Sequence, residues 1–192
     1  MPKVSNLNPE DRERIAKLFK ELDIDKDGKV SVAELASKIK DSEKTATAEK
    51  IISRGAESVS KSSITFGEFV DYITETETQL KLAFRQMDKN HDNVVDVSEI
   101  IAAMRDLGVE VGQKEAEKLL RKVDKDGSLS IDFDEWRDFL LLSGRTQLDD
   151  IFRYWRRASA VDIGELVQVP DDYTEEEKKS GEAWKTLLAG GE

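Results

Sequence analysis

The sequence contains no cysteine, one histidine and no apolar run long enough to cross a bilayer. Without cysteine, disulfides, zinc–thiolate sites and cysteine nucleophiles are all excluded. A lone histidine, His91, cannot build a multi-histidine metal site. The stretch from Met1 to Asn8 lacks the apolar core of a secretory signal. It is also not the arginine-rich, acid-poor stretch of a transit peptide. Basic residues are in the minority, 30 against 41 acidic ones, for a net charge of −11. Such a chain repels phosphates, which argues against nucleic acid as a partner. It suits a protein that takes cations or basic amphipathic helices. The 192 residues, 38% hydrophobic and 37% charged, suffice for one or two small cores in a helix-friendly composition.

What is present is a repeat. Four windows share one pattern and end on Glu34, Glu68, Glu99 and Glu135, spaced by 34, 31 and 36 residues. Counting back eleven positions gives twelve-residue loops that begin at Asp23, Glu57, Asp88 and Asp124. Apolar residues at helical spacing lead into three of them: Ile15, Leu18, Phe19 and Leu22; Leu80, Ala83, Phe84 and Met87; Ala116, Leu119, Leu120 and Val123. The second unit is weaker, with Glu49, Ile52, Ser53 and Ala56 at the equivalent positions. An apolar residue restarts each outgoing helix: Leu35, Phe69, Ile100 and Trp136. Asn8 followed by Pro9 marks a helix start. Position eight of every loop is β-branched (Val30, Ile64, Val95, Ile131), which predicts a short antiparallel bridge between loops one and two and between loops three and four. The expected architecture is all-α: four EF-hand helix–loop–helix units in two lobes, calmodulin-like, with a C-terminal amphipathic helix and tail. The boundaries are 1–77 for the N-terminal lobe, 78–143 for the C-terminal lobe, 144–160 for the amphipathic helix and 161–192 for a linker and final helix. Thr74 to Gln79 joins the lobes as a continuous helix or a short joint.

The loops read as oxygen cages for calcium, a hard cation that takes six to eight oxygens from fixed positions of a twelve-residue loop. Loop one offers Asp23, Asp25 and Asp27, the carbonyl of Lys29, Ser31 through water, and Glu34 bidentately. Gly28 supplies the turn that the loop requires. Loop three offers Asp88, Asn90, Asp92, the carbonyl of Val94, Asp96 and Glu99, with Asn93 at the turn. Its His91 falls at a non-ligating position and reads as an exposed loop residue. Loop four offers Asp124, Asp126, Ser128, the carbonyl of Ser130, Asp132 and Glu135. Here the glycine, Gly127, stands two positions early and Leu129 occupies the turn, so a non-standard geometry is expected. Loop two has lost its cage: Glu57, Val59, Lys61, Ser63 and Glu68 put an apolar residue and a positive charge at ligand positions. It is expected to remain as an empty scaffold, leaving three calcium sites. Cages account for the carboxylates better than acid–base catalysis does. No phosphate-cradling loop, nucleophile elbow or kinase signature is present, so no catalytic residue is assigned.

After Gly144 the pattern changes. Leu148, Ile151, Phe152 and Trp155 share one helical face, opposite Arg153, Arg156 and Arg157. A basic amphipathic helix with aromatic residues suits the groove of an open EF-hand lobe. It also suits a membrane surface, or ordinary core packing. The acidity of the chain favours the first, an intramolecular ligand of the C-terminal lobe. Thr174 and Glu177 form a capping box for a last helix, and the ending Ala189-Gly190-Gly191-Glu192 looks like an excision point.

The tail carries a resemblance. The runs Ile151-Phe152-Arg153-Tyr154-Trp155, Val161-Asp162-Ile163-Gly164-Glu165 and Val169-Pro170-Asp171-Asp172-Tyr173-Thr174-Glu175-Glu176-Glu177, then Trp184 and Leu187-Leu188-Ala189-Gly190-Gly191, closely resemble the calcium-dependent mitochondrial ATP-Mg/phosphate carriers, also called short calcium-binding mitochondrial carriers. Asp126-Gly127-Ser128 and Asp134-Glu135-Trp136-Arg137-Asp138 look like the same family. The resemblance implies an N-terminal regulatory domain at the mitochondrial inner membrane, facing the intermembrane space. Its partner would be a six-helix carrier domain, absent from this chain, that exchanges magnesium-ATP for phosphate when calcium permits. The damaged second loop departs from the family pattern. The rival readings are a free-standing calmodulin-like sensor or buffer and a module that regulates an enzyme. Calorimetry with micromolar protein is expected to find no more than three tight calcium sites; a fourth would overturn the reading of loop two.

Overall fold

The structure is a computed structural model that describes residues 7–40, 43–56 and 62–162. Among them, α1 (Pro9–Leu22), β1 (Lys29–Ser31), α2 (Val32–Lys38), α3 (Lys44–Gly55), β2 (Ser63–Thr65) and the start of α4 (Phe66–Met87) build the first lobe. The end of α4, β3 (Val94–Val95), α5 (Val97–Asp106), α6 (Gln113–Val123), β4 (Ile131–Asp132) and α7 (Phe133–Leu140) build the second. An eighth helix, α8 (Leu148–Asp162), follows. Residues up to Trp155 form one unit, and the description below is confined to it. The expected tail helix and the Glu57, Val59 and Lys61 positions of loop two lie outside the described residues.

Local sequence explains the helix boundaries. Asn8 accepts the Asp11 N–H at 2.7 Å, with Pro9 in the first turn of α1. The helices α2, α4, α5 and α7 each begin with a capping box, formed by Ser31 with Glu34, Thr65 with Glu68, Asp96 with Glu99 and Asp132 with Glu135. These are positions nine and twelve of each loop. The β-branched residues at position eight pair as expected, Val30 opposite Ile64 and Val95 opposite Ile131, in two antiparallel ladders. Each pair is fully buried, so the bridge also roofs a core.

Two cores result. One gathers Ile15, Phe19, Leu22, Leu35, Ile51, Ile52, Phe69 and Ile73. The other gathers Leu80, Phe84, Met87, Ile100, Met104, Leu119, Leu120, Trp136 and Leu140, together with Ile151, Phe152, Tyr154 and Trp155 of α8. The Thr74–Gln79 stretch is helical throughout, inside the 22-residue α4. Thr74 and Thr78 turn their hydroxyls onto the carbonyls one turn back, at 2.7 and 3.0 Å, so neither competes for the helix. Three further ties join the lobes. Glu77 stands 2.6 Å from Arg14 of α1 and 4.0 Å from Arg137 of α7. Leu141, just past the second lobe, is buried in the first core rather than its own. Arg54 of α3 donates to the Gly144 carbonyl at 3.2 Å, where Gly144 turns the chain with a φ of +70°.

Trp136 is the largest kind of side chain in the second core. It is fully buried, its indole N–H donates to the Leu80 carbonyl at 3.0 Å, and it stacks edge-on against Trp155 at 5.6 Å. Trp136→Ala is expected to destabilise the second lobe by about 3–5 kcal/mol in urea denaturation followed by circular dichroism.

Candidate calcium sites

Each of three loops is folded inward by hydrogen bonds to its own carboxylates. The first residue of the loop receives the backbone N–H groups of positions five and six. Asp23 accepts from Asp27 at 3.2 Å and from Gly28 at 2.9 Å. Asp88 accepts from Asp92 at 3.3 Å and from Asn93 at 2.9 Å. Asp124 accepts from Ser128 at 3.2 Å and from Leu129 at 2.9 Å. The twelfth residue closes the ring from the other side. One oxygen of Glu34 takes the Asp25 N–H at 3.1 Å and the other the Ser31 N–H at 3.0 Å. Glu99 does the same with Lys89 and Asp96 at 2.8 and 3.2 Å, and Glu135 with Lys125 and Asp132 at 2.6 and 3.1 Å.

This geometry converges the ligands. Carboxylate oxygens of Asp23, Asp25, Asp27 and Glu34 all lie within 4.8 Å of one another, as do those of Asp88, Asp92 and Glu99 and those of Asp124, Asp126 and Glu135. Two oxygens bound to one calcium are separated by at most roughly 5.2 Å, twice its longest usual bond, so all three cages have the right size. The donor chemistry fits as well, being all oxygen and no nitrogen or sulfur. In loop four the Ser128 hydroxyl spans the cage, 3.3 Å from Asp124 and donating to the Ser130 carbonyl at 3.0 Å, so positions one, five and seven face each other. Asn90 lies 3.2 Å from Asp92. Lys29 and Val94 start β1 and β3, which places their carbonyls in the ladder segments.

Position nine also caps the outgoing helix, in addition to the ligand role expected of it. The side chains of Ser31, Asp96 and Asp132 accept the backbone N–H of the following glutamate at 3.2, 2.9 and 2.8 Å. Asp96 and Asp132 fall outside the converged clusters, their carboxylates serving as helix caps. Of the loop-two positions, Ser63 lies in β2 and Glu68 caps α4 through Thr65, whose N–H it accepts at 2.9 Å. His91 is exposed, with a φ of +58°.

Loop four keeps the left-handed turns of the others and departs from them at its entry, where Asp124 has a ψ of 102° against 77° for Asp23 and Asp88. Positions four and six are left-handed in all three loops: Lys26 and Gly28, His91 and Asn93, Gly127 and Leu129. Gly127 relieves position four, and Leu129 still adopts a φ of +64°. The ring of N–H donors around Asp124 outweighs the intrinsic preference of leucine.

Crowded charge and backbone donors shift the carboxylates of the cages in opposite directions. Asp25 accepts the Asp27 N–H, which by itself lowers its pKa, but desolvation and the neighbouring Asp23, Asp27 and Glu34 carboxylates push it up. Asp27 is lowered, chiefly by the Lys29 N–H. Asp126 is lowered by the hydroxyl and N–H of Ser128. For Glu34 desolvation raises the pKa, and the Ser31 and Asp25 N–H groups together outweigh it to leave the carboxylate stabilised.

The predicted helix residues Ile151, Phe152 and Trp155 are buried in the second core, and Leu148 packs against it half-buried. Trp155 donates its indole N–H to the Leu119 carbonyl at 2.8 Å. Sequence reasoning missed Leu141 and Arg145. Arg145 pairs with Asp150 at 3.3 Å and lies 4.9 Å from the centre of the Tyr154 ring. The run Leu140-Leu141-Leu142 was the available signal, since one short stretch that supplies two cores cannot keep a single helical period.

Comparison with known proteins agrees with this chemistry. The EF-hand family matches residues 15–39, which hold loop one, and the EF-hand domain pair matches residues 77–140, which hold loops three and four. The chain is 40% identical over 181 residues to the mitochondrial adenyl nucleotide antiporter SLC25A24-A of Xenopus laevis, covering 93% of this chain and 38% of that protein. It is 36% identical over 200 residues to SLC25A24 of Homo sapiens, covering the whole chain and 40% of that protein. The calcium-binding mitochondrial carrier protein SCaMC-2 of Bos taurus is 40% identical over 126 residues, which is 66% of this chain and 27% of that protein. The chain thus spans about two fifths of the length of the first two relatives. Glu34→Gln and Glu135→Gln are each expected to lower the calorimetric calcium stoichiometry by one, because each removes one oxygen of a bidentate pair.

Proposed function

Because the chain is an EF-hand homologue of the N-terminal region of the calcium-binding mitochondrial carriers, we propose that it is a calcium-sensing regulatory domain. It controls a carrier domain, not included in this chain, that exchanges ATP-Mg for phosphate across the mitochondrial inner membrane. The sensor faces the intermembrane space. Three cages hold calcium, at loops one, three and four, and loop two is a scaffold.

The observation that carries the mechanism is the burial of Ile151, Phe152 and Trp155 of α8 in the second core. Calcium, when bound, supplies the positive charge that lets the crowded carboxylates of a cage stay close together. The protein's own residues do the rest. Glu135 heads α7, so the set of its carboxylate fixes where α7 starts. Trp136, the next residue, bears on Trp155. The lobe therefore has two states, one that accepts the apolar face of α8 and one that does not. The carrier domain takes up the released helix and is blocked by it. Only the difference in affinity of α8 for the two lobe states can drive such a switch. Its scale is sufficient. Burial of three large apolar side chains is worth roughly 5–9 kcal/mol before ordering costs. Swinging an equilibrium from 1:99 to 99:1 requires about 5.5 kcal/mol.

A free-standing sensor remains the second reading, and the homology of the chain to carriers over 93% of its length favours the first. Scattering profiles of the chain with calcium and with chelator are expected to differ, the calcium form being smaller. The double variant Phe152→Ala, Trp155→Ala should lose that difference. Identical profiles for the parent chain and the double variant in calcium would overturn the docking mechanism.

A further inference from the structure

We infer that Leu129 makes loop four the weakest of the three cages, and that this weakness sets the calcium concentration at which α8 docks; the second half rests on the switch proposed above. The sixth loop position must turn left-handed so that its N–H can reach the first carboxylate. Gly28, Asn93 and Leu129 make that bond at 2.9 Å in every case. Their φ values are +82°, +68° and +64°. Glycine adopts this conformation without penalty, and asparagine is among the side chains that tolerate it. A leucine does so only under strain, because its Cβ crowds the following carbonyl. Nothing repays the strain through packing, since Leu129 is 71% exposed. The early glycine, Gly127, relaxes position four instead and leaves the cost at position six in place. The Leu129 N–H bond to Asp124 that holds this turn belongs to the gathered cage, and a loop whose carboxylates part gives up that bond and the strain together. The strain is therefore charged against binding.

Loop four is also the loop that α8 touches from both sides. Trp155 donates to Leu119 of α6, the helix that leads into loop four. It stacks on Trp136, the residue after Glu135, on the helix that leads out. The cage that fills last is then the one whose helices hold the switch. The strained leucine acts as a threshold setting and is not itself a ligand.

The test is a calcium titration of the full chain in a Trp184→Phe background, so that Trp136 and Trp155 alone report by fluorescence, with calorimetry run in parallel. Leu129→Gly is expected to tighten the weakest calorimetric site and to lower the fluorescence midpoint, each by roughly five- to thirtyfold, and Leu129→Asn to shift both in the same direction by less. Leu129→Ala removes the exposed side chain but keeps a Cβ in the left-handed turn, and should leave both within about twofold. Gly28→Ala should weaken a different calorimetric site and leave the fluorescence midpoint in place. Equal shifts for the alanine and glycine variants at 129 would overturn the strain argument. An unchanged weakest site in Leu129→Gly would overturn the ranking. A tightened site with an unmoved midpoint would overturn the threshold role. Fluorescence that ignores calcium in every variant would instead sink the docking of α8, while calorimetry still decides the effect of Leu129 on its cage.

Discussion

The glutamate at the twelfth loop position is the constraint on which the rest depends. Its two oxygens face two ways, one toward the backbone at the start of the loop and one toward position nine. The first contact folds the loop back over its carboxylates. The second caps the outgoing helix and so fixes its direction. One side chain therefore couples cage geometry to helix position. Glu34, Glu99 and Glu135 are all buried despite their charge, which is sustainable only because backbone donors surround each of them. Glu68 keeps the capping half of this role in loop two, and this accounts for an intact α4 and an intact β1–β2 ladder behind a damaged cage.

The two lobes use the same parts unequally. The first core is completed by Leu141, which arrives from beyond the second lobe. The second is completed by α8. Each lobe thus closes with residues that are not part of its own helix–loop–helix pair. An EF-hand pair whose apolar groove stands open exposes a large contiguous patch, and such patches are covered by something. Here the covering residues lie within twenty residues of each other along the chain, joined by the Gly144 turn that Arg54 holds. The same short segment therefore reports on both lobes at once.

Much of the fold was legible in the residues. Loop positions, the Asn8 cap and the apolar face of α8 follow from spacing, because each is a local or twelve-residue relation, and the pairing of Val30 with Ile64 and of Val95 with Ile131 follows from the repeat, which puts a β-branched residue at the same position of every loop. Loop four was the instructive departure. A leucine at the sixth position argued for an altered turn, yet Leu129 is left-handed like Gly28 and Asn93, and the difference lies at the loop entry, in the ψ of Asp124. Local preference of one residue, worth about 1–2 kcal/mol, yields when several hydrogen bonds demand one conformation.

By itself, the amino-acid sequence determined where the oxygens stand along the chain, and hence the acidic clusters that loops one, three and four gather. It also determined which helical faces are apolar. Tertiary structure alone decided which apolar face meets which. Leu141 enters the far core, the joint between the lobes is a continuous helix, and position nine caps the outgoing helix. The reason is physical. Ligand spacing is set by the covalent chain over twelve residues, whereas burial is non-directional, and apolar surface goes to whichever partner the folded chain brings within reach.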